Sequence, residues 1–225
     1  MKNAPFENLE EKFKKGISTK EWSKIIQGIK DAEAVYVLGN GGNMAVASHA
    51  AADITRLTDK RVYCLDSPSL LTSIANDFGY ENIFTNWLEH YVNPNEKGMV
   101  VGFSGSGNSK NVISALHWAN ERHNWNAGLI SGSQSNCLDP NIPEVNFETD
   151  YFHTHEILSV MCFPVTIHTS KSRSAILSYK FSLDGGTLVT KIIDHFVETH
   201  DRKNFMRMEI ISLKVNLWDI WIEAV

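Results

Sequence analysis

The chain lacks several features that would indicate particular classes of protein. Its three cysteines, at positions 64, 137 and 162, are too few and too far apart to indicate a disulfide framework or a cysteine-rich zinc site. No apolar run approaches the roughly 20 residues that a membrane-spanning helix needs. The first residues, MKNAPFENLEEKFKKG, lack the apolar core of a secretory signal, so we expect a cytoplasmic protein.

The chain also has only a small excess of charge of one sign. The 21 basic and 26 acidic residues give a net charge of −5 at pH 7, so we expect no general binding of nucleic acid or membrane surfaces. The composition, 43% hydrophobic and 21% charged over 225 residues, is typical of a globular protein with a sizeable core.

Short apolar runs alternate with helical patterns along the first two thirds of the chain. Five strand candidates occupy residues 34–38, 61–66, 99–103, 126–132 and 144–149. This alternation predicts an α/β fold, in which a three-layer, doubly wound parallel sheet carries helices on both faces. This alternation of strand and helix patterns ends after about Pro164. We therefore predict one domain over residues 1–168, including an N-terminal helix, and an atypical C-terminal extension over residues 169–225.

Two helix starts are marked by capping residues. Ser18, with Glu21 three residues later, reads as a capping box for the N-terminal helix. Ser67 followed by Pro68 predicts another helix start, with proline in the first turn.

Two glycine-rich loops follow the first and third strand candidates, LGNGGNMAVASH and FSGSGNSKNV. Parallel strands place such loops at the ligand-binding edge of the sheet, and the following helix offers free N–H groups to an anion. Neither loop fits a nucleotide motif. The first has Met44 where a dinucleotide fingerprint needs its third glycine, and the second has Asn108 where a P-loop needs lysine. Two such loops, one with three serines, favour a small phosphorylated ligand and no nucleotide cofactor.

Three stretches, GNGGN, IANDFGYENIF and VVGFSGSGNSKNVISAL, carry a resemblance to a known family. They resemble the sugar isomerase (SIS) domain, and within it the phosphoheptose isomerase group, over about residues 20–163. The resemblance implies a five-stranded parallel sheet, homo-oligomers with shared sites, and a sugar phosphate as ligand. It also implies conversion of sedoheptulose 7-phosphate to a mannoheptose 7-phosphate, on the way to lipopolysaccharide heptose.

The same resemblance implies substrate-binding residues in three places. Gly105 stands where the family often has threonine, Asn43 where it has serine, and Asp77 would contact sugar hydroxyls. The complete predicted set is Asn40, Gly41, Gly42, Asn43, Asp77, Ser104, Gly105, Ser106 and Ser109.

The chemistry requires groups that move protons between adjacent carbons. His49 and Asp53, four residues apart on one helix face, match the family's His-x-x-x-Glu with a shortened carboxylate. Histidine and carboxylate at this spacing also suit a divalent metal such as zinc, with His153 as a third ligand. Met161 stands where the family has its last histidine, so His155 or Glu156 is expected to supply the acid.

Two hypotheses follow from these residues. In the first, the chain is a phosphosugar isomerase with His49, Asp53 and His155 as catalytic residues. In the second, it is a phosphosugar-binding or regulatory module that has lost the catalytic acid, which Asp53 and Met161 favour.

Overall fold

A computed structural model of the chain describes residues 7–93 and 95–171, with side chains described as far as Phe163. Its central sheet has five parallel strands in the order β2-β1-β3-β4-β5. The strands are β1 (Ala34–Gly39), β2 (Arg61–Cys64), β3 (Gly98–Ser104), β4 (Trp125–Ser131) and β5 (Glu144–Asn146). The predicted fold class is confirmed, and all five strand candidates form strands.

Seven α-helices surround this sheet in the described part of the chain. They are α1 (Leu9–Ile17), α2 (Lys20–Asp31), α3 (Gly42–Leu57), α4 (Pro68–Phe78), α5 (Ile83–Tyr91), α6 (Lys110–Asn120) and α7 (Phe152–Lys171), with a 3₁₀ turn (Tyr80–Asn82) before α5. Helix α7 continues past residue 168, where we predicted the domain to end. The predicted extension lies outside the described residues from residue 172 onwards.

The sheet separates two hydrophobic cores. Val35 and Val37 of β1 pack into one core with α1, α2, α3 and α7. Tyr36 and Leu38 of the same strand point to the other core, which α4, α5 and α6 complete. Strands β1 and β3 are buried along their whole length, as expected for parallel strands covered on both faces.

The helix caps confirm one prediction and correct another. Ser67 caps α4 as predicted, with its side chain accepting a hydrogen bond from the backbone N–H of Leu70 at 3.4 Å. The predicted Ser18 cap is wrong by one residue. Thr19 caps α2 by accepting from Trp22 N at 3.1 Å, because α1 ends at Ile17 and Ser18 closes that helix.

None of the helices in the described ranges is both long and apolar enough to cross a lipid bilayer.

Candidate active site

Both glycine loops lie at the carboxyl-terminal edge of the sheet. Strands β1 and β3 are hydrogen-bonded neighbours, and Gly39 at the end of β1 pairs with Phe103 near the end of β3. Each loop leads directly into a helix, the first into α3 and the second into α6. The edge where open α/β sheets bind ligands therefore presents both loops and both helix N-termini.

The second glycine loop, residues 103–112, is called the serine loop below because it contains three serines. It brings two of its hydroxyls together. Ser104 Oγ lies 2.9 Å from Ser109 Oγ, and the backbone N–H of Ser109 donates to Ser104 Oγ at 3.4 Å. Ser109 is the N-cap residue of α6, while the more exposed Ser106 accepts a hydrogen bond from Asn108 N at 3.2 Å. Hydroxyl donors and the first N–H groups of α6 thus share one place, which is the arrangement that binds an anion.

Gly107 makes the tight turn of this loop possible. Its φ of +71° is a left-handed backbone conformation that residues with a side chain rarely adopt. A Cβ there would also clash with the carbonyl oxygen of Ser133. At Gly105 the obstacle to a side chain is different, since a Cβ would lie 2.6 Å from Cδ1 of Phe152. The ring of Phe152, at the start of α7, fills the space beside the serine loop.

Helix α7 also contacts the first glycine loop. A Cβ added to Gly42, the first residue of α3, would lie 2.5 Å from Cδ of Glu156. The Glu156 carboxylate therefore lies against the N-terminus of α3, where the helix dipole favours negative charge. Phe152 and Glu156 are four residues apart and share one face of α7. That face covers both glycine loops.

The side chain of Asn40 joins the two loops. Its Nδ2 donates to Asn111 Oδ1 at 2.8 Å, and Asn111 Nδ2 donates back to Asn40 Oδ1 at 2.9 Å. Tyr80 Oη donates to the same Asn40 Oδ1 at 2.9 Å. We predicted Asn40 as a substrate ligand, but the structure uses its carbonyl oxygen in an internal network. Asn111 and Tyr80 were missed, although both lie in the motifs quoted above.

Asn43 and Asp77 differ in their access to solvent. Asn43 is only 7% exposed, and its buried Oδ1 has no hydrogen-bond partner among the described residues. Asp77 is exposed in the last turn of α4, where its Oδ1 accepts from Asn76 Nδ2 at 2.8 Å. Of these two predicted ligands, only Asp77 is open to a molecule arriving from solution.

The structure brings His49 and Asp53 together on α3. His49 Nε2 lies 3.3 Å from Asp53 Oδ2, and the other carboxylate oxygen accepts from Arg56 Nη2 at 3.0 Å. Asp53 is 6% exposed, whereas the His49 side chain is 55% exposed. A buried carboxylate therefore holds an accessible imidazole, which is the arrangement of an oriented general base.

His155 does not have the access that its predicted catalytic role requires. It is fully buried. Its Nδ1 lies 3.4 Å from Ser159 Oγ. Burial lowers the pKa of His155 to about 4, so the imidazole is neutral at pH 7. A proton donor to a bound ligand must touch that ligand, and this placement corrects the prediction for His155.

The predicted zinc ligands do not meet within one chain. Among the described residues, no three His, Cys, Asp or Glu side chains form a group that could hold a metal ion. His49 and Asp53 lie together, but the exposed His153 does not join them, and Asp53 is already bonded to Arg56. The donor set that the described residues present at the site therefore does not fit zinc.

Similarity to known proteins identifies the family of this chain. No protein-family model matches the chain. The phosphoheptose isomerase of Syntrophotalea carbinolica is 32% identical over 139 residues, which are 57% of this chain and 70% of that protein. The chain belongs to the phosphoheptose isomerase family. The phosphoheptose isomerase of Aliarcobacter butzleri is also 32% identical, with 76% of its length covered, whereas that of Geobacter metallireducens is 37% identical with 58% covered.

Two solved structures of phosphoheptose isomerases share the fold. The Neisseria gonorrhoeae protein superposes with a TM-score of 0.61 at 23% identity, covering 73% of this chain and 91% of that one. The Francisella tularensis protein gives a TM-score of 0.58 at 18% identity, covering 72% of this chain and 92% of that one.

Met161 stands where the resemblance described above implies a histidine. Met161 is partly buried and packs against the core formed by α1, α2, α3 and α7. Its thioether cannot donate a proton, so Met161 serves packing rather than proton transfer.

Proposed function

We propose that this chain isomerises a ketose phosphate to an aldose phosphate through an enediol. The proposed substrate is sedoheptulose 7-phosphate and the product a glycero-manno-heptose 7-phosphate, a precursor for lipopolysaccharide heptose. The observation that carries the proposal is the serine loop at the N-terminus of α6, beside a second glycine loop, in a member of the phosphoheptose isomerase family.

The serine loop would hold the phosphate. Ser104, Ser106 and Ser109 supply hydroxyls, and the N-terminus of α6 supplies N–H groups and the positive end of its dipole. A monophosphate fits this set because Asn108 stands where a P-loop has the lysine that holds further phosphate groups. Asp77, exposed on α4, is the proposed contact for sugar hydroxyls.

The reaction needs one group to take a proton from C1 of the ketose and return it to C2. We assign this to His49, whose imidazole the buried Asp53 holds in place. Electrons from the broken C–H bond form the C1–C2 double bond of the enediol, while the carbonyl oxygen on C2 takes a proton. Loss of the proton from the hydroxyl on C1 then forms the C1 carbonyl, while the electrons of the C1–C2 double bond take the proton that is returned to C2.

A second group must exchange the proton on the two oxygens, and we assign this to Glu156. Its half-buried carboxylate lies against the first glycine loop, whereas the neighbouring His155 is closed from solvent. Carboxylates placed at the reacting atoms are common general acids and bases.

The second candidate function is a phosphosugar-binding or regulatory module without turnover. Met161 and the burial of His155 favour it, because both remove a histidine from the acid's role. The serine loop fits either function.

Incubation with sedoheptulose 7-phosphate, followed by NMR, distinguishes the two functions. We expect turnover by the full chain and a large loss of turnover with His49→Gln. With Ser109→Ala we expect a roughly 10- to 100-fold weaker affinity for the sugar phosphate. Ser23→Ala, on the exposed face of α2, is the control and leaves both unchanged. Binding of the sugar phosphate without turnover would contradict the isomerase function and support the binding module.

Three further properties stay proposals. Zinc dependence is measured by repeating the assay after chelation and after adding zinc. Homo-oligomeric assembly is measured by light scattering. A cytoplasmic location, as expected from the sequence, is measured by fractionation.

A further inference from the structure

Asn40 connects the three sequence motifs that define the site. It lies in the first glycine loop, and its amide forms a reciprocal pair with the amide of Asn111, in the first turn of α6. Tyr80, in the 3₁₀ turn that follows α4, donates its hydroxyl to Asn40. We call these three residues the amide network.

Each amide of the amide network has a single orientation that satisfies its hydrogen bonds. Asn111 is 2% exposed, and its Oδ1 also accepts from the backbone N–H of Val112 at 3.0 Å. Rotating either amide by 180° would bring donor against donor and acceptor against acceptor. A reciprocal amide pair, half-buried at Asn40 and buried at Asn111, therefore holds the first loop and α6 in one relative position.

The two ends of the amide network lie beside the two ends of the proposed ligand. Asn111 follows the phosphate-binding Ser109 by two residues, and Tyr80 follows the sugar-contacting Asp77 by three. Glu81, next to Tyr80, also approaches α6, with Oε2 lying 3.5 Å from Lys110 Nζ. Both of these side chains are exposed, so this ion pair contributes little to the positioning.

We propose that the amide network sets the length of the sugar phosphate that the site accepts. It fixes the distance between the phosphate-binding loop and the end of α4, so a sugar of one chain length meets both contacts. This inference rests on the proposed function. Asn40, Asn111 and Tyr80 act here as positioning residues for specificity, because none of them needs to touch the sugar.

The test compares affinities for two ketose phosphates in the full chain and in Tyr80→Phe, measured by isothermal titration calorimetry. The ligands are sedoheptulose 7-phosphate, with seven carbons, and fructose 6-phosphate, with six. Tyr80→Phe removes one hydroxyl from a half-exposed ring, so the fold is expected to survive, and thermal unfolding checks this. Tyr91→Phe, another exposed tyrosine outside the amide network, is the matched control.

We expect the unsubstituted chain to prefer the seven-carbon ligand, and Tyr80→Phe to reduce that preference roughly three- to tenfold, as for loss of one hydrogen bond. A purely structural role would weaken both affinities by the same factor and leave the preference unchanged, which would overturn the proposal. Equal affinities in the unsubstituted chain would also overturn it. Turnover is recorded separately, so binding with preference but without turnover contradicts the isomerase function alone.

Discussion

Replacing Gly42 with alanine separates stability from activity at the first glycine loop. The new Cβ would lie 2.5 Å from Cδ of Glu156, closer than real Cβ contacts allow. Because the obstacle is the end of a flexible side chain, we expect the Glu156 carboxylate, and not the backbone, to move. The expected displacement is roughly 1 Å. A displacement of that size at a reacting group costs on the order of 100-fold in rate.

The stability of Gly42→Ala should change in the opposite direction. Gly42 is the first residue of α3, and alanine is favoured over glycine in helices by up to about 1 kcal/mol. We expect the free energy of unfolding in urea to be unchanged or slightly higher. We expect kcat for sedoheptulose 7-phosphate, followed by NMR, to fall by about 100-fold.

Glu156→Gln is the partner variant, since it keeps the shape of the side chain and removes its charge. If alanine at position 42 acts through Glu156, the double variant should lose no more activity than Glu156→Gln alone. Full kcat in Gly42→Ala would refute the role assigned to Glu156. Additive losses in the double variant would show instead that the methyl group obstructs the ligand directly.

Three further predictions concern other parts of the chain. Thr19→Ala should lower the free energy of unfolding in urea by about 1 kcal/mol, as loss of an N-cap does, whereas Ser18→Ala should change it by less than about 0.5 kcal/mol. Burial lowers the pKa of His155 from 6.5 to about 4, so the unfolded chain binds the extra proton first as the pH falls. Stability should therefore drop by on the order of 3 kcal/mol between pH 6.5 and 4, and a urea series over pH should lose this slope in His155→Leu. Gly107→Ala should weaken sugar-phosphate affinity at least tenfold in calorimetry, because its φ of +71° and the nearby Ser133 carbonyl exclude a side chain, while Ser133→Ala should leave the affinity unchanged.

Much of the fold was predictable because its signals are local. Alternation of short apolar runs with helical patterns identified the five strands, and Ser67-Pro68 marked a helix start correctly. Helix α1 was missed because it is only nine residues long and buries only Phe13 and Gly16 in the core. That omission also displaced the predicted cap from Thr19 to Ser18.

The parts of the site that were missed depend on long-range packing. Asn40 and Asn111 are 71 positions apart and meet only because β1 and β3 are neighbours in the sheet. His155 and Glu156 are adjacent in sequence but lie about 100° apart around α7. Which of them faces the glycine loop depends on how α7 is rotated against α3, and a pattern of residue types does not determine that rotation.

The contact between Gly105 and Phe152 has a consequence for engineering this loop. A Cβ at position 105 would lie 2.6 Å from the aromatic ring, so the two positions share one volume. A library that varies position 105 alone would return mostly glycine, and threonine there should become acceptable once residue 152 is reduced to alanine or serine. Diversity at the rim of the serine loop is therefore obtained by mutating the two positions in pairs.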